Sequence, residues 1–200
     1  MNNSKFTITL RAADGYNIPL PSTQTLGDMY MSSKHKRIFI IGHSGAGKGV
    51  LAEAVAKKLD WKYVNADFSL APSIGKNAAE ILGKEGDAKF QHCLSEILEH
   101  QTHQENIVVT TDDSIVCSER SRALLLKEFT VYLKVSLSVQ LERIGHNRPL
   151  LPCANYKSFL NQLREERDAL YEQSASFSLS SDNGDIEAHA QQIVDAFKSK

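Results

Sequence analysis

The chain has 200 residues, 42% hydrophobic and 24% charged, with a formal net charge of -1. That composition describes one soluble globular domain, long enough for a packed core and an appendage. It argues against nucleic acid held on a clustered basic face, and no stretch is apolar enough to span a bilayer. Neither nucleic acid nor a membrane is therefore expected as a partner. Cys93, Cys117 and Cys153 are widely spaced and form no CxxC pair, and the histidines show no zinc-ligand spacing. Reduced thiols in a cytoplasmic protein are expected, since the N-terminus carries no apolar core of signal-peptide length.

Residues 1 to about 35 read as an accessory segment. Phe6, Ile8 and Leu10 alternate with polar residues, Asp14-Gly15 offers a turn, and Tyr16, Ile18 and Leu20 alternate again. A hairpin is expected, its second run an edge strand or irregular because Pro19 and Pro21 lack amide donors. From Arg37 the pattern becomes strand, loop, helix. "RIFIIG" suits a central parallel strand, and Lys48 to Leu59 places Leu51, Ala54, Val55 and Leu59 on one helical face. "KYVNAD", "NIVVTT" and "TVYLKVS" follow as strands. Helices are expected from Ala78 to His100, Asn155 to Gln173 and Asp185 to Ser199. Strands alternating with helices predict an α/β fold: a parallel sheet with helices on both faces.

The chemistry begins at "GHSGAGKGV". Four residues separate Gly42 from Gly47-Lys48, after a strand and before a helix. In that setting the loop from Gly42 through His43, Ser44, Gly45, Ala46 and Gly47 wraps its amides around phosphate oxygens. The helix beyond offers unpaired N–H groups, and Lys48 adds a full charge. The pattern usually closes with Ser or Thr, whose hydroxyl holds Mg2+. Here Gly49 and Val50 stand there instead. Magnesium keeps several waters and can be held through them. The ending "GAGKG" also resembles adenylate and cytidylate kinases, in which glycine follows the lysine and Thr comes next.

Residues 37 to 200 resemble the shikimate kinase family of P-loop small-molecule kinases. "LERIGHNRPLL" resembles the family's adenine-side arginine and Arg-Pro-Leu-Leu lid, which implies those roles for Arg143 and Arg148 and a lid at about 144–158. "REERDALYEQSASFSL" resembles its substrate-arginine motif, with Arg167 and Tyr171 in register and Ala169 where proline is usual. The resemblance implies a three-layer P-loop kinase domain over 36–200 that uses ATP and Mg2+.

The acceptor side departs from that pattern. Asp67 keeps the place of the aspartate that binds the acceptor hydroxyl, but Asn65 replaces the metal-side aspartate. Gln91 stands where an arginine grips the shikimate carboxylate, and it cannot make that charged bidentate contact. Asp112 and Asp113 replace glycines of the family's Thr-Gly-Gly-Gly. They have two readings: a metal-supporting acid at the end of a buried strand, acting through water, or a cap on the turn near Ser114.

The expected protein is thus an ATP-dependent phosphotransferase acting on a small hydroxylated acceptor other than shikimate. Lys48, Asp67 and Arg148 are its expected catalytic residues, and Asp67, Gln91, Asp112, Asp113 and Arg167 its expected acceptor residues. The alternative is a nucleotide-binding module without turnover that acts through a partner, favoured by Gly49, Val50, Asn65 and Gln91. A nucleoside-monophosphate kinase rests on "GAGKG" alone.

Overall fold

The computed structural model describes residues 9–11, 17–19, 35–67, 84–147 and 156–200. Arg148, with the lid between Asn147 and Tyr156, lies outside the described residues, as do Phe6, Ile8 and the Asp14-Gly15 turn. Two units divide the chain, Met1–Lys34 and His35–Lys200. In the first, β1 (Thr9–Arg11) pairs antiparallel with β2 (Asn17–Pro19), and Leu10 lies opposite Ile18.

The second unit is an α/β domain. Its elements are β3 (Arg37–Ile41), α1 (Lys48–Leu59), β4 (Lys62–Ala66), α2 (Lys84–Thr102), β5 (Ile107–Thr111), α3 (Glu119–Leu125), β6 (Phe129–Lys134), α4 (Leu137–Asn147), α5 (Tyr156–Ser174), β7 (Phe177–Ser180) and α6 (Ile186–Lys198). The strands form one sheet in the order β4-β5-β3-β6-β7, and all four pairings are parallel. Strands β3 and β5 carry apolar runs at Ile38–Ile41 and Ile107–Val109 because both faces of the sheet are covered. Ile38 and Ile40 point to the layer of α1 and α6, where they meet Val55, Ile193 and Phe197. Phe39 and Ile41 point the other way, to Leu94, Leu98, Leu125 and Tyr171.

Helix α1 buries Leu51, Ala52, Val55 and Ala56, a face turned slightly from the expected one; Ala54 and Leu59 reach only its margin. The small Ala52 and Ala56 face inward, where the helix lies against the sheet. Trp61 packs edge-on against Phe197 at 5.3 Å between ring centroids, so it serves the core. Helices α3 and α4 and strand β7 are additions to the sequence reading. Strand β7 has only four residues, too few to show a period beside the long helix before it.

Helix α6 starts on an aspartate cap: Asp185 Oδ1 accepts the Ala188 N–H at 3.0 Å. Replacing Asp185 with alanine should cost about 1 kcal/mol. A thermal melt should then fall by about 2–4 °C; an unchanged melt would show that the cap adds nothing.

Candidate active site

Parallel strands bring their carboxyl ends to one edge of the sheet, where ligands of such folds gather. Here that edge carries the glycine loop after β3, Asp67 after β4 and Asp112-Asp113 after β5. The loop leaves β3 tightly against β6: a Cβ on Gly42, whose φ is +142°, would lie 2.5 Å from the Leu133 carbonyl oxygen. Helix α1 begins at Lys48 with Gly47 before it, no side-chain cap, and no acid in the first turn. Its leading N–H groups and positive dipole end therefore face an anion site.

Lys48 is buried at this end. Its Nζ donates to the carbonyls of Gly42 at 2.9 Å and His43 at 3.3 Å, and pairs with Asp67 Oδ2 at 3.0 Å. Two of the residues expected to be catalytic are thus in direct contact. A pocket of about 470 Å³ opens beside them, walled by residues 44–47 of the loop, residues 48–51 of α1, and by Asp67, Arg143, Ser181, Ile186 and His189. The last three were not legible as site residues, because they come from the end of the chain; Ser181 lies in the turn-forming run "SSDNGD", and Ile186 and His189 in the helix that follows. Arg143 spans the two parts. It donates to the Ala46 carbonyl at 3.1 Å and to the Ser181 hydroxyl and carbonyl at 3.0 and 2.7 Å. The arginine expected beside adenine therefore also braces the loop against the β7–α6 connection.

Four of the five residues expected on the acceptor side, Gln91, Asp112, Asp113 and Arg167, gather at the end of β5. Asp113 Oδ1 accepts from Arg167 Nη1 at 3.0 Å, with the side chains 19% and 15% exposed. Asp112 Oδ1 accepts the Ser114 N–H at 2.9 Å and its hydroxyl at 2.7 Å, and Gln91 Nε2 donates to that same hydroxyl at 3.0 Å. Burial pushes the Asp112 carboxyl up, and the negative charges of Asp113 and Asp67 add to this. Gln91 Oε1 and Arg167 Nε are buried with no hydrogen-bond partner among the described residues. Of the two readings of these aspartates, Asp112 shows the turn arrangement at Ser114, while Asp113 makes an ion pair with Arg167. No group of three His, Cys, Asp or Glu suited to a metal occurs among the described residues.

The profile of the family described as "Shikimate kinase" matches residues 44–198. The chain belongs to the shikimate kinase family. Among curated relatives, the shikimate kinase of Legionella pneumophila (strain Corby) is 32% identical over 164 residues, 80% of this chain and 94% of the relative. That of Vibrio parahaemolyticus is 31% identical over 165 residues, 81% and 96% of the two chains. Among solved structures, shikimate kinase from Acinetobacter baumannii in complex with shikimate superposes with a TM-score of 0.71 at 26% identity, covering 84% of this chain and 95% of that one. A deoxyadenosine kinase from M. mycoides, at 18% identity and a TM-score of 0.59, shares the fold. The chain is a P-loop small-molecule kinase, and ATP with Mg2+ is the cofactor pair of its family.

One feature of this shikimate kinase family member escaped the sequence reading. His43 sits inside the phosphate loop, yet its side chain turns away from the pocket and is 2% exposed. Its Nε2 lies 2.7 Å from Asp168 Oδ1 on α5, which also accepts the Tyr132 hydroxyl at 2.9 Å. The ring packs edge-on against Tyr171. On the far side, Arg164 donates to Gln140, whose amide donates to the Ser44 carbonyl at 2.9 Å. The loop is thereby tied to the helix that carries Arg167. Burial lowers the His43 pKa more than Asp168 raises it, so the imidazole is neutral at neutral pH. The unfolded chain therefore binds the extra proton first, and stability contributed here is lost as pH falls through the ordinary histidine range, about 6.5. Urea titrations at pH 7.5 and 5.5 should show wild type losing more stability than His43→Asn; equal losses would assign the slope to other groups.

Proposed function

We propose that this kinase transfers the γ-phosphoryl group of ATP to a hydroxyl of a small acceptor other than shikimate. The observation that carries the reading is the Arg167–Asp113 ion pair. A guanidinium already neutralised by an internal carboxylate has little to offer a carboxylate on the acceptor. Gln91 supplies an amide in place of a second cation, and Asp112 brings a further acid to the same strand end. Each charge-assisted hydrogen bond withheld weakens a carboxylate acceptor by about 1.5–3 kcal/mol.

The nucleotide's phosphates occupy the loop and take Lys48 from Asp67, which frees the Asp67 carboxylate to orient the acceptor hydroxyl. That oxygen attacks the γ-phosphorus as Asp67 takes the hydroxyl proton, the bond from the γ-phosphorus to the β–γ bridging oxygen breaks, and ADP leaves. Lys48 and Arg148 stabilise charge on the transferred group, and positioning supplies the rest. Mg2+, when bound with ATP, neutralises charge on the β- and γ-phosphates. The exposed thiols of Cys93 and Cys117, neither of them in a disulfide, suit a reducing, cytoplasmic setting.

An ATP-consumption screen against polyols, sugars and hydroxy acids, shikimate included, tests the reading. Turnover with an uncharged acceptor is expected. Rapid turnover on shikimate, about 1–100 per second, would overturn the altered pocket, and no turnover with any acceptor would leave a nucleotide-binding module. Residues 1–35 are inferred to be accessory, since the family match starts only at residue 44. Their deletion should leave nucleotide affinity within a few-fold by calorimetry, and unfolding of the remainder would place them in the core instead.

A further inference from the structure

A P-loop normally ends in Ser or Thr, whose hydroxyl stands on Mg2+, and in this chain that residue is Gly49. The space is not left open. A Cβ built on Gly49 would lie 3.3 Å from the Tyr63 hydroxyl oxygen, closer than an ordinary contact. A side chain at position 49 and the present place of Tyr63 therefore compete. The Tyr63 hydroxyl is 3.3 Å from Thr110 Oγ1, and Thr110 in turn donates to Asn65 Oδ1 at 3.2 Å. Asn65 Oδ1 also accepts the Asp67 N–H at 3.0 Å. Parallel pairing sets Asn65 beside Thr110, so the chain of contacts is built into the register of β4 and β5. It runs from beneath Gly49 to Asp67, the partner of Lys48.

We propose that the Tyr63 hydroxyl, held by Thr110, which is itself held by Asn65, replaces the missing P-loop hydroxyl and receives the water shell of the magnesium that accompanies ATP. Packing alone would need only the ring of Tyr63. The hydroxyl is the atom aimed at Gly49 and bonded to Thr110. All three side chains are uncharged, which suits an ion that keeps its waters and is bound mainly through the nucleotide's phosphates. Asp112 and Asp113 are not required for this role.

Calorimetric titration with a non-hydrolysable ATP analogue, in Mg2+ and in EDTA, tests the assignment in the full chain. Tyr63→Phe should leave the Kd in EDTA unchanged and shrink the tightening produced by Mg2+ by about tenfold, as outer-shell groups of metal sites commonly do. Gly49→Ser combined with Tyr63→Phe should restore the tightening, because the phenol no longer opposes a hydroxyl in the usual place. Thr110→Val should act in the direction of Tyr63→Phe, and it keeps the test available if that variant is unstable. Equal Mg2+ tightening in wild type, Tyr63→Phe and Thr110→Val would overturn the proposal and leave Tyr63 as packing. Parallel weakening in Mg2+ and EDTA would overturn it as well. Failure of the wild type to bind the analogue in either condition would remove ATP binding itself, and this assignment with it.

Discussion

Gly42→Ala should cost about 3 kcal/mol or more and leave much of the protein unfolded at 37 °C. Two independent terms act together. A φ of +142° lies where a residue with a side chain is strained, by about 1–3 kcal/mol. The new methyl would also stand 2.5 Å from the Leu133 carbonyl oxygen, in the backbone of a strand buried on both faces. No side chain can rotate to relieve that contact, so β3 and β6 must separate where the phosphate loop begins. Gly184→Ala is the matched control. Its φ is +69°, but nothing lies within 4 Å of the added Cβ. The left-handed conformation alone should cost about 1–2 kcal/mol. Urea denaturation of the two variants separates strain from collision. Equal costs would show that the loop does not approach β6 this closely.

Asp113→Gly should turn the acceptor site toward carboxylates. It removes the partner of Arg167 and leaves a guanidinium, 15% exposed, whose Nε already lacks a partner among the described residues. An acceptor carboxylate can then take the place of the lost one. One charge-assisted hydrogen bond at about 1.5–3 kcal/mol corresponds to a gain of roughly 10- to 150-fold in shikimate affinity. Adding Gln91→Arg should increase the gain, since an arginine fork holds a carboxylate at two points. The same change costs stability, because an ion pair loses one member. The pair is not fully buried, so the loss should fall below the 3–5 kcal/mol of a buried one. Calorimetry with shikimate and a non-hydrolysable ATP analogue reads the affinity directly. A folded Asp113→Gly protein with no gain would show that Arg167 does not face the acceptor.

Local pattern alone determined the domain. Apolar runs at Ile38–Ile41 and Ile107–Val109, alternating with helical periods, pointed to buried parallel strands under helices, because burying their backbones requires a ladder on each side. The glycine loop, Lys48 and Asp67 were legible for a related reason: their spacing from strand ends sets where they emerge. The partners of these residues were not legible. Asp113 and Arg167 are 54 positions apart, His43 and Asp168 are 125 apart, and Arg143 and Ser181 are 38 apart. Asp112 and Asp113 looked like one acidic feature, yet one turns into the Ser114 turn and the other reaches α5. Adjacent residues at a strand end point in different directions, and their partners come from helices whose approach depends on the packing of the whole core. For that reason tertiary structure alone decided which carboxylate pairs with Arg167, where the loop histidine turns, and which hydroxyl lies next to Gly49.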